Sequence, residues 1–318
     1  MDSIKPLRNI YKQKQRQLDN SSGKAARFKY PVLIINPKSG NGRAINAHIA
    51  QLAQRQKIQP IIIKGEDDIE IVARQAVASG ADALGISSGD GSIGAVAKVA
   101  IEYNLPIVVL PGGTRCHFAR DLGLNINRIG DGLAGFSGKE RRIDVGNING
   151  RIFLNNTSIG LYADIVSHPE YREDKFDVSR KVLRSIVNGK KKLYDLQFRY
   201  GQTKFKEALQ VLVGVNCYNT VNIFELGHRE QLDGGVLQVT AVTKINNDVV
   251  KKILNPLIID KLHILSNQDA FQQWETHSFR IKNSTDSLEL GVDGEYEVYD
   301  NPVTVRIMPK ALRIYVPV

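Results

Sequence analysis

From Pro31 to Leu122 short apolar runs and amphipathic runs follow one another without a break, and this alternation constrains the fold more than any other feature. Val32–Ile35, Ile61–Ile63, Leu84–Ile86 and Ile107–Leu110 are short and continuously apolar, as strands covered on both faces must be. Between them Ala44–Gln56, Asp68–Ser79, Ser92–Tyr103 and Phe118–Leu122 read as helices; in the third, Ile93, Val96, Ala97 and Ala100 recur at helical spacing. The pattern predicts an α/β domain built on a parallel sheet with helices on both sides. Ligands of such sheets bind outside the carboxyl ends of the strands, so the loops at those ends carry the interest.

After about residue 143 the pattern changes. Arg141–Val145 and Arg151–Ser158 flank Asn149-Gly150, a strong hairpin signal. Further strand-like runs follow at Tyr194–Tyr200, Lys204–Val215, Val236–Val242, Phe279–Lys282, Leu288–Val292, Val303–Met308 and Leu312–Val316. Helices are expected at about 172–189 and 247–265. In the first of these Val178, Val182, Leu183, Ile186 and Val187 form a stripe wide enough to pack on a core, although a basic amphipathic helix can also lie on a membrane. The expected organisation is a tail over 1–30, a Rossmann-like domain over 31–143, and a mostly antiparallel β-sandwich over 144–318 whose last strand can return to the first domain.

At 318 residues the chain is long enough for two domains. Its two cysteines, Cys116 and Cys217, make neither a disulfide framework nor a metal spacing and fit a reducing compartment. No apolar run spans a bilayer and the N-terminus does not read as a signal peptide, so a cytoplasmic protein, peripheral to a membrane at most, is expected. More than half of the net charge of +10 comes from residues 1–30, and a second basic cluster runs from Lys190, Lys191 and Lys192 through Arg199, Lys204 and Lys206. Both suit an anionic surface. Too few aromatic residues are interleaved for a nucleic-acid platform. His48, His168, His228, His263 and His277 show no ligand spacing.

Three loops at strand ends carry the chemistry. Asn36-Pro37-Lys38-Ser39-Gly40-Asn41-Gly42-Arg43 lacks the Gly-Lys-Ser/Thr of a Walker loop and has Ile45 where a dinucleotide fingerprint needs a third glycine. Asn36, Lys38, Ser39 and Arg43 nevertheless offer donors to a polyphosphate. Gly89-Asp90-Gly91-Ser92 joins a strand to a helix, presenting backbone N–H groups to an anion, with Asp90 able to hold Mg²⁺ and Ser92 to cap the helix. Pro111-Gly112-Gly113-Thr114-Arg115 ends the fourth strand, with Thr114 as a phosphate donor. Three such loops at one sheet edge point to a phosphate-binding crevice.

In this order, and with Phe118-Ala119-Arg120 and Asp293-Gly294-Glu295, these motifs resemble the catalytic domain of the diacylglycerol kinase family, which is related to sphingosine kinases and more remotely to NAD kinases. The resemblance extends over about 31–318. It implies an ATP site between a Rossmann-like domain and a β-sandwich. On the matching positions it implies nucleotide contacts from Asn36, Pro37, Lys38, Ser39, Gly40, Gly89, Asp90, Gly91, Ser92 and Thr114. It also implies Asp90 at the phosphates and their Mg²⁺, and Glu295 as the base that deprotonates a lipid hydroxyl.

The chain departs from the family's pattern in places. Ser88 precedes Gly89, and Gly94 and Ala95 stand where a polar and an acidic residue are common. Arg115-Cys116-His117 replaces Gly-Asn-Asp; His117 can substitute for that Asp only as a donor or weak base. Gly234 replaces the second Asp of Leu-Asp-Asp-Gly, a ligand of a structural Mg²⁺ in bacterial members, so that site is not expected in its usual form. The expectation is an ATP- and Mg²⁺-dependent lipid kinase acting on a lipid alcohol, diacylglycerol first, at an anionic membrane surface; a homodimer is compatible with it and nucleic acid is not an expected partner. The alternatives are a lipid- or nucleotide-binding protein that has lost catalysis and a kinase of a soluble substrate.

Overall fold

The computed structural model describes residues 28–64, 67–168, 181, 194–219, 227–243 and 271–318. The chain divides into two units, Met1–Ile143 with Lys310–Val318, and Asp144–Pro309. Most of the basic tail, the lysines at 190–192 and the two helices expected at 172–189 and 247–265, Lys181 apart, lie outside the described residues.

In the first unit β1 (Pro31–Ile35), β2 (Gln59–Ile62), β3 (Ala83–Ser88) and β4 (Ile107–Pro111) pair in parallel in the order β2-β1-β3-β4. The chain's last strand returns here, with Ile314 and Tyr315 parallel to Ile107 and Val108 of β4. β1, β3 and β4 are buried along their whole length, as their unbroken apolar runs require. They pack under α1 (Arg43–Asn46), α2 (Ile49–Arg55), α3 (Ile69–Ala78), α4 (Asp90–Glu102) and α5 (His117–Asp121), with a 3-10 helix over Ile129–Ser137. Leu33, Ile35, Ile49, Ala53, Val108, Leu110, Leu133 and Phe136 form one core of this unit.

Two helix boundaries differ from expectation. The helix predicted over Ala44–Gln56 is broken between α1 and α2, where His48 adopts a left-handed φ of 51°. Ala44, Ile49 and Ala53 are buried on both sides of the break, so apolar periodicity ran straight through it. Helix α4 begins at Asp90 with Gly89 as its N-cap, and Ser92 is not the cap. By contrast, Asp68 does cap α3, accepting from the Glu70 and Ile71 N–H groups at 2.7 and 3.3 Å.

The second unit is antiparallel. β5 (Lys139–Ile148) enters it from the first unit and turns through Asn149-Gly150, both at positive φ, into β6 (Arg151–Phe153). The run predicted as one strand over 151–158 then breaks at Leu154 and Asn155, and β7 (Asn156–Gly160) joins another sheet. After α6 (Leu161–Ser167) come β8 (Phe198–Tyr200), β9 (Thr203–Phe205), β10 (Gln210–Val215), β11 (Leu237–Val242), β12 (Phe271–Thr276), β13 (Ser278–Ile281), β14 (Ser287–Val292), β15 (Glu295–Asp300) and β16 (Val303–Val316). One sheet runs β12-β11-β10-β7-β14-β15. A core including Ile148 and Phe153, Val211 and Val239, Phe279 and Ile281, and Val303 and Val305 draws on that sheet and on the β5–β6 and β13–β16 pairs, which makes a sandwich.

The run predicted over Lys204–Val215 is two strands, β9 and β10. Strands β12 and β15 escaped prediction because both are sheet edges, where polar residues such as Gln272, Gln273, Glu275, Glu295 and Glu297 blunt further pairing and hide the apolar alternation. Among the described residues no helix is long and apolar enough to cross a membrane.

Candidate active site

The strand order 2-1-3-4 reverses direction between β1 and β3, and a doubly wound sheet binds ligands at such a switch point. All three glycine loops leave the sheet there, from the carboxyl ends of β1, β3 and β4. The Asn36 N–H donates to the Ser87 carbonyl at 3.0 Å, tying the first loop to the second. Gly40 has a left-handed φ of 57°, and a Cβ on it would stand 2.4 Å from the Gly112 carbonyl oxygen; a Cβ on Gly113 would stand 2.6 Å from the Gly89 Cα. Only glycine permits backbone to pass this close to backbone. The three loops are therefore one surface.

The predicted site residues of this unit divide by what their atoms already do. The Asn36 side chain accepts from the Lys38 N–H at 3.0 Å, which curls the first loop and leaves Lys38 exposed. Pro37, Ser39, Gly40, Gly89, Asp90, Gly91 and Ser92 are half-buried, and Thr114 and Arg115 are exposed at the tip of the third loop. Arg43, a candidate phosphate donor, instead donates to the Gly113 carbonyl at 2.9 Å and to that of Ile126, so it clamps the first loop to the third. The amino end of α4, at Asp90 and Gly91, faces the same edge, where its dipole favours an anion.

Asp90 has a structural duty as well. Its two oxygens accept the His117 and Phe118 N–H groups at 3.0 and 3.1 Å, satisfying the first turn of α5. His117 thus opens a helix that Asp90 holds. Cys116, between them, has a left-handed φ of 49°, and its thiol donates to the Gly113 carbonyl at 3.1 Å; burial first, and the Asp90 charge second, push that thiol up to about 11. It is no nucleophile near neutral pH. Among the described residues no group of three or more His, Cys, Asp or Glu side chains can hold a metal. Asp90 is the one carboxylate in these loops, and each oxygen keeps a lone pair. That suits an Mg²⁺ held mainly by a nucleotide's own phosphates, and it does not suit a resident ion in a protein cage. Ser87 and Ser88, which the sequence reading did not count among the site residues, each keep a buried hydroxyl with no partner among the described residues, directly beneath the loops.

In the second unit the predicted Asp293-Gly294-Glu295 is the two-residue turn between β14 and β15, with φ of 49° and 86° at Asp293 and Gly294. The Asp293 carboxylate accepts three N–H groups, from Leu154, Asn155 and Asn156, at 2.9, 2.8 and 3.2 Å. Arg229, 1% exposed, grips the same segment from inside, donating to the Leu154 carbonyl at 2.7 Å and to Asn155 Oδ1 at 3.1 Å over the ring of Tyr218. Glu295 follows on the half-buried side of β15, and its carboxylate has no hydrogen-bond partner among the described residues. The loop at Leu232–Gly235 is clasped by Asp144, which accepts from the Gly235 N–H at 2.6 Å and donates its own N–H to the Leu232 carbonyl. At Gly234 a Cβ would stand 3.0 Å from Asn216 Oδ1.

Residues 31–148, which carry all three loops, match the profile of the diacylglycerol kinase catalytic domain. The likeness is to that span of the chain. Over a wider span the chain is 25% identical to the diacylglycerol kinase of Bacillus subtilis along 292 residues, 85% of this chain and 90% of that protein. It is 34% identical to the diacylglycerol kinase of Mycobacterium tuberculosis along 96 residues, 29% of this chain and 31% of that one. The fold is shared with the crystal structure of a diacylglycerol kinase from Bacillus anthracis at a TM-score of 0.63 and 19% identity, covering 91% of this chain and 97% of that one. The three loops, from Asn36 to His117, thus all lie inside the matched span.

Proposed function

We propose that the protein is a lipid kinase that transfers the γ-phosphoryl group of ATP to the hydroxyl of a lipid alcohol, with diacylglycerol as the first candidate. The observation that carries this reading is the convergence of the three glycine loops, at the switch point of the sheet, in a diacylglycerol kinase catalytic domain. Phosphoryl transfer needs positioning and charge neutralisation more than covalent chemistry, and these loops supply backbone donors, a helix amino end and the hydroxyls of Ser39, Ser92 and Thr114. Asn36, Pro37, Lys38 and Gly40 shape and charge the wall of the phosphate site, with Gly89 and Gly91 leaving backbone open to it. Asp90 would hold Mg²⁺ together with the phosphates, and the ion would neutralise charge on the oxygens in flight.

Glu295 is the proposed general base. Its free carboxylate is the form that accepts a proton from an alcohol, whereas Asp293 beside it is committed to three backbone donors. His117 is the proposed auxiliary donor at the third loop.

The test is transfer of labelled γ-phosphate from ATP and Mg²⁺ into a total lipid extract, with Glu295→Gln beside the wild type. A labelled lipid made by the wild type and lost in the variant supports the reading, and its mass identifies the acceptor. Nucleotide binding with no labelled lipid refutes it; label in a soluble metabolite moves the acceptor class.

A further inference from the structure

The second unit carries a basic face whose charges form no ion pair among the described residues. Strands β8 and β9 form a hairpin in which Phe198 and Phe205 turn inward and stack at 5.0 Å, so that Arg199 and Lys204, directly opposite one another, turn outward. Beside it β13 buries Phe279 and Ile281 and exposes Arg280, and the first half of β16 buries Val303, Val305 and Ile307 and exposes Arg306. Their register pairs Arg280 with Thr304 and Ser278 with Arg306, making the two arginines diagonal neighbours.

The hairpin is joined to β13 through Gln197 and Lys282, whose backbones exchange hydrogen bonds of 2.7 and 3.1 Å. Continuing that antiparallel register by two residues sets Arg199 across from Arg280. Four cations therefore lie on one side of the hairpin and of the β13–β16 pair, and the same alternation puts Gln197, Lys282, Ser278 and Thr304 on that side.

None of Arg199, Lys204, Arg280 and Arg306 forms an ion pair among the described residues. Asp195, four residues before Arg199, accepts instead from the Ser284 N–H at 2.8 Å and the Gln197 amide at 3.1 Å. Like charges set directly opposite on a sheet repel, so this arrangement lowers the stability of the unit unless an anionic surface compensates it. Tyr200, 39% exposed, alternates with Arg199 and so turns to the Phe198 side of the hairpin, where it stacks on Trp274 at 4.6 Å.

We infer that this face docks the protein onto the anionic phospholipid headgroups of a membrane, with Arg199, Lys204, Arg280 and Arg306 as the contacts. The inference rests on the lipid-kinase reading for its choice of a bilayer as the occupant, since an alcohol dissolved in a bilayer must be met at its surface.

The experiment uses the full chain and phosphatidylcholine vesicles with and without phosphatidylglycerol, read by co-sedimentation. The variants are Arg280→Ser with Arg306→Ser, and Arg199→Ser with Lys204→Ser. Arg55→Ser with Arg141→Ser, two exposed cations of the other unit, serves as a control of equal net charge. A cation at an anionic leaflet contributes about fivefold in partition, so each pair on the face should cost roughly 25-fold, and the loss should shrink as salt rises. Losses confined to the two face variants and to anionic vesicles support the inference. Equal loss in the control reduces it to net charge and overturns it, as does unchanged binding in the face variants. Preference for nucleic acid over vesicles through the same residues overturns it too.

Transfer to diacylglycerol in neutral detergent micelles is measured alongside. Activity there that the face variants retain keeps docking separate from chemistry. Absence of transfer in micelles with face-dependent vesicle binding removes the kinase reading and leaves the docking face standing.

Discussion

Gly40→Ala tests whether the three loops are one surface. Two costs are readable at this position. The left-handed φ of 57° strains any residue with a Cβ by about 1 kcal/mol. The new methyl would also stand 2.4 Å from the Gly112 carbonyl oxygen and 3.2 Å from the Gly113 carbonyl carbon, both backbone atoms that no rotamer change can move aside. Relieving such a collision by shifting backbone costs roughly 1–3 kcal/mol. The total is about 2–4 kcal/mol. Gly123→Ala isolates the first cost, because Gly123 has a φ of 80° and nothing within 4 Å of its added Cβ, so about 1 kcal/mol is expected there.

The assay is urea unfolding of both variants, followed by nucleotide titration at a temperature where both are folded. Gly40→Ala should lose at least 1 kcal/mol more than Gly123→Ala. If the first loop moves instead of the fold weakening, it should lose nucleotide affinity by roughly tenfold or more, the equivalent of one displaced charge-assisted hydrogen bond. Equal stabilities together with equal nucleotide affinities would refute the claim that the first and third loops are packed backbone to backbone, and with it the basis for a shared phosphate site.

Two further outcomes follow from the same geometry. Asp90→Ala strips the acceptor from two N–H groups of α5 and should cost about 1–2 kcal/mol in urea unfolding, whereas Asp90→Asn, which keeps one acceptor oxygen, should cost less than half of that. Phosphoryl transfer should fail in both, and transfer that survives in Asp90→Asn would reduce Asp90 to a helix cap. Glu140 is held down at about 2, chiefly by the bidentate Arg313 and also by the Tyr315 hydroxyl. Its folded-state value is depressed, so its stabilisation is full above the ordinary Glu value of about 4.5 and is lost as pH falls toward 2. The pair is about a third exposed, so solvent screening limits the effect to about 1 kcal/mol. Thermal unfolding of Glu140→Gln should run below wild type at pH 7 and converge with it near pH 2; parallel curves across that range would remove the pair from the account.

What was legible in the sequence was whatever leaves a local pattern. The buried strands β1, β3 and β4 announce themselves because both faces are covered and no alternation interrupts them. The hairpin at Asn149-Gly150 is visible because a two-residue turn needs positive φ at both positions. The edge strands β12 and β15 were hidden, since an edge must carry polar residues. The break at His48 was hidden because apolar spacing continues through it, and the break at Leu154–Asn155 because both residues are buried like the strands on either side.

The candidate site divides along the same line. Its loops could be found by motif, but the contacts that hold them could not, because each joins residues far apart in sequence. Asp90 reaches the start of α5 across 28 positions, Asp293 reaches Asn155 across 138, and Arg229 reaches Leu154 across 75. These contacts change how the motifs are read. An aspartate in a glycine turn looks like a ligand for a metal or a proton, yet in both units its oxygens accept backbone N–H groups of another segment. In Asp293-Gly294-Glu295 the framing and the proposed chemistry fall on different residues, since Asp293 fixes the turn against residues 154–156 and leaves the Glu295 carboxylate unspent. In Gly89-Asp90-Gly91 they fall on one residue, whose remaining lone pairs are all it can offer a cation. Substitution at Asp293 should therefore act on activity through the placement of Glu295, and substitution at Asp90 should remove framing and charge together.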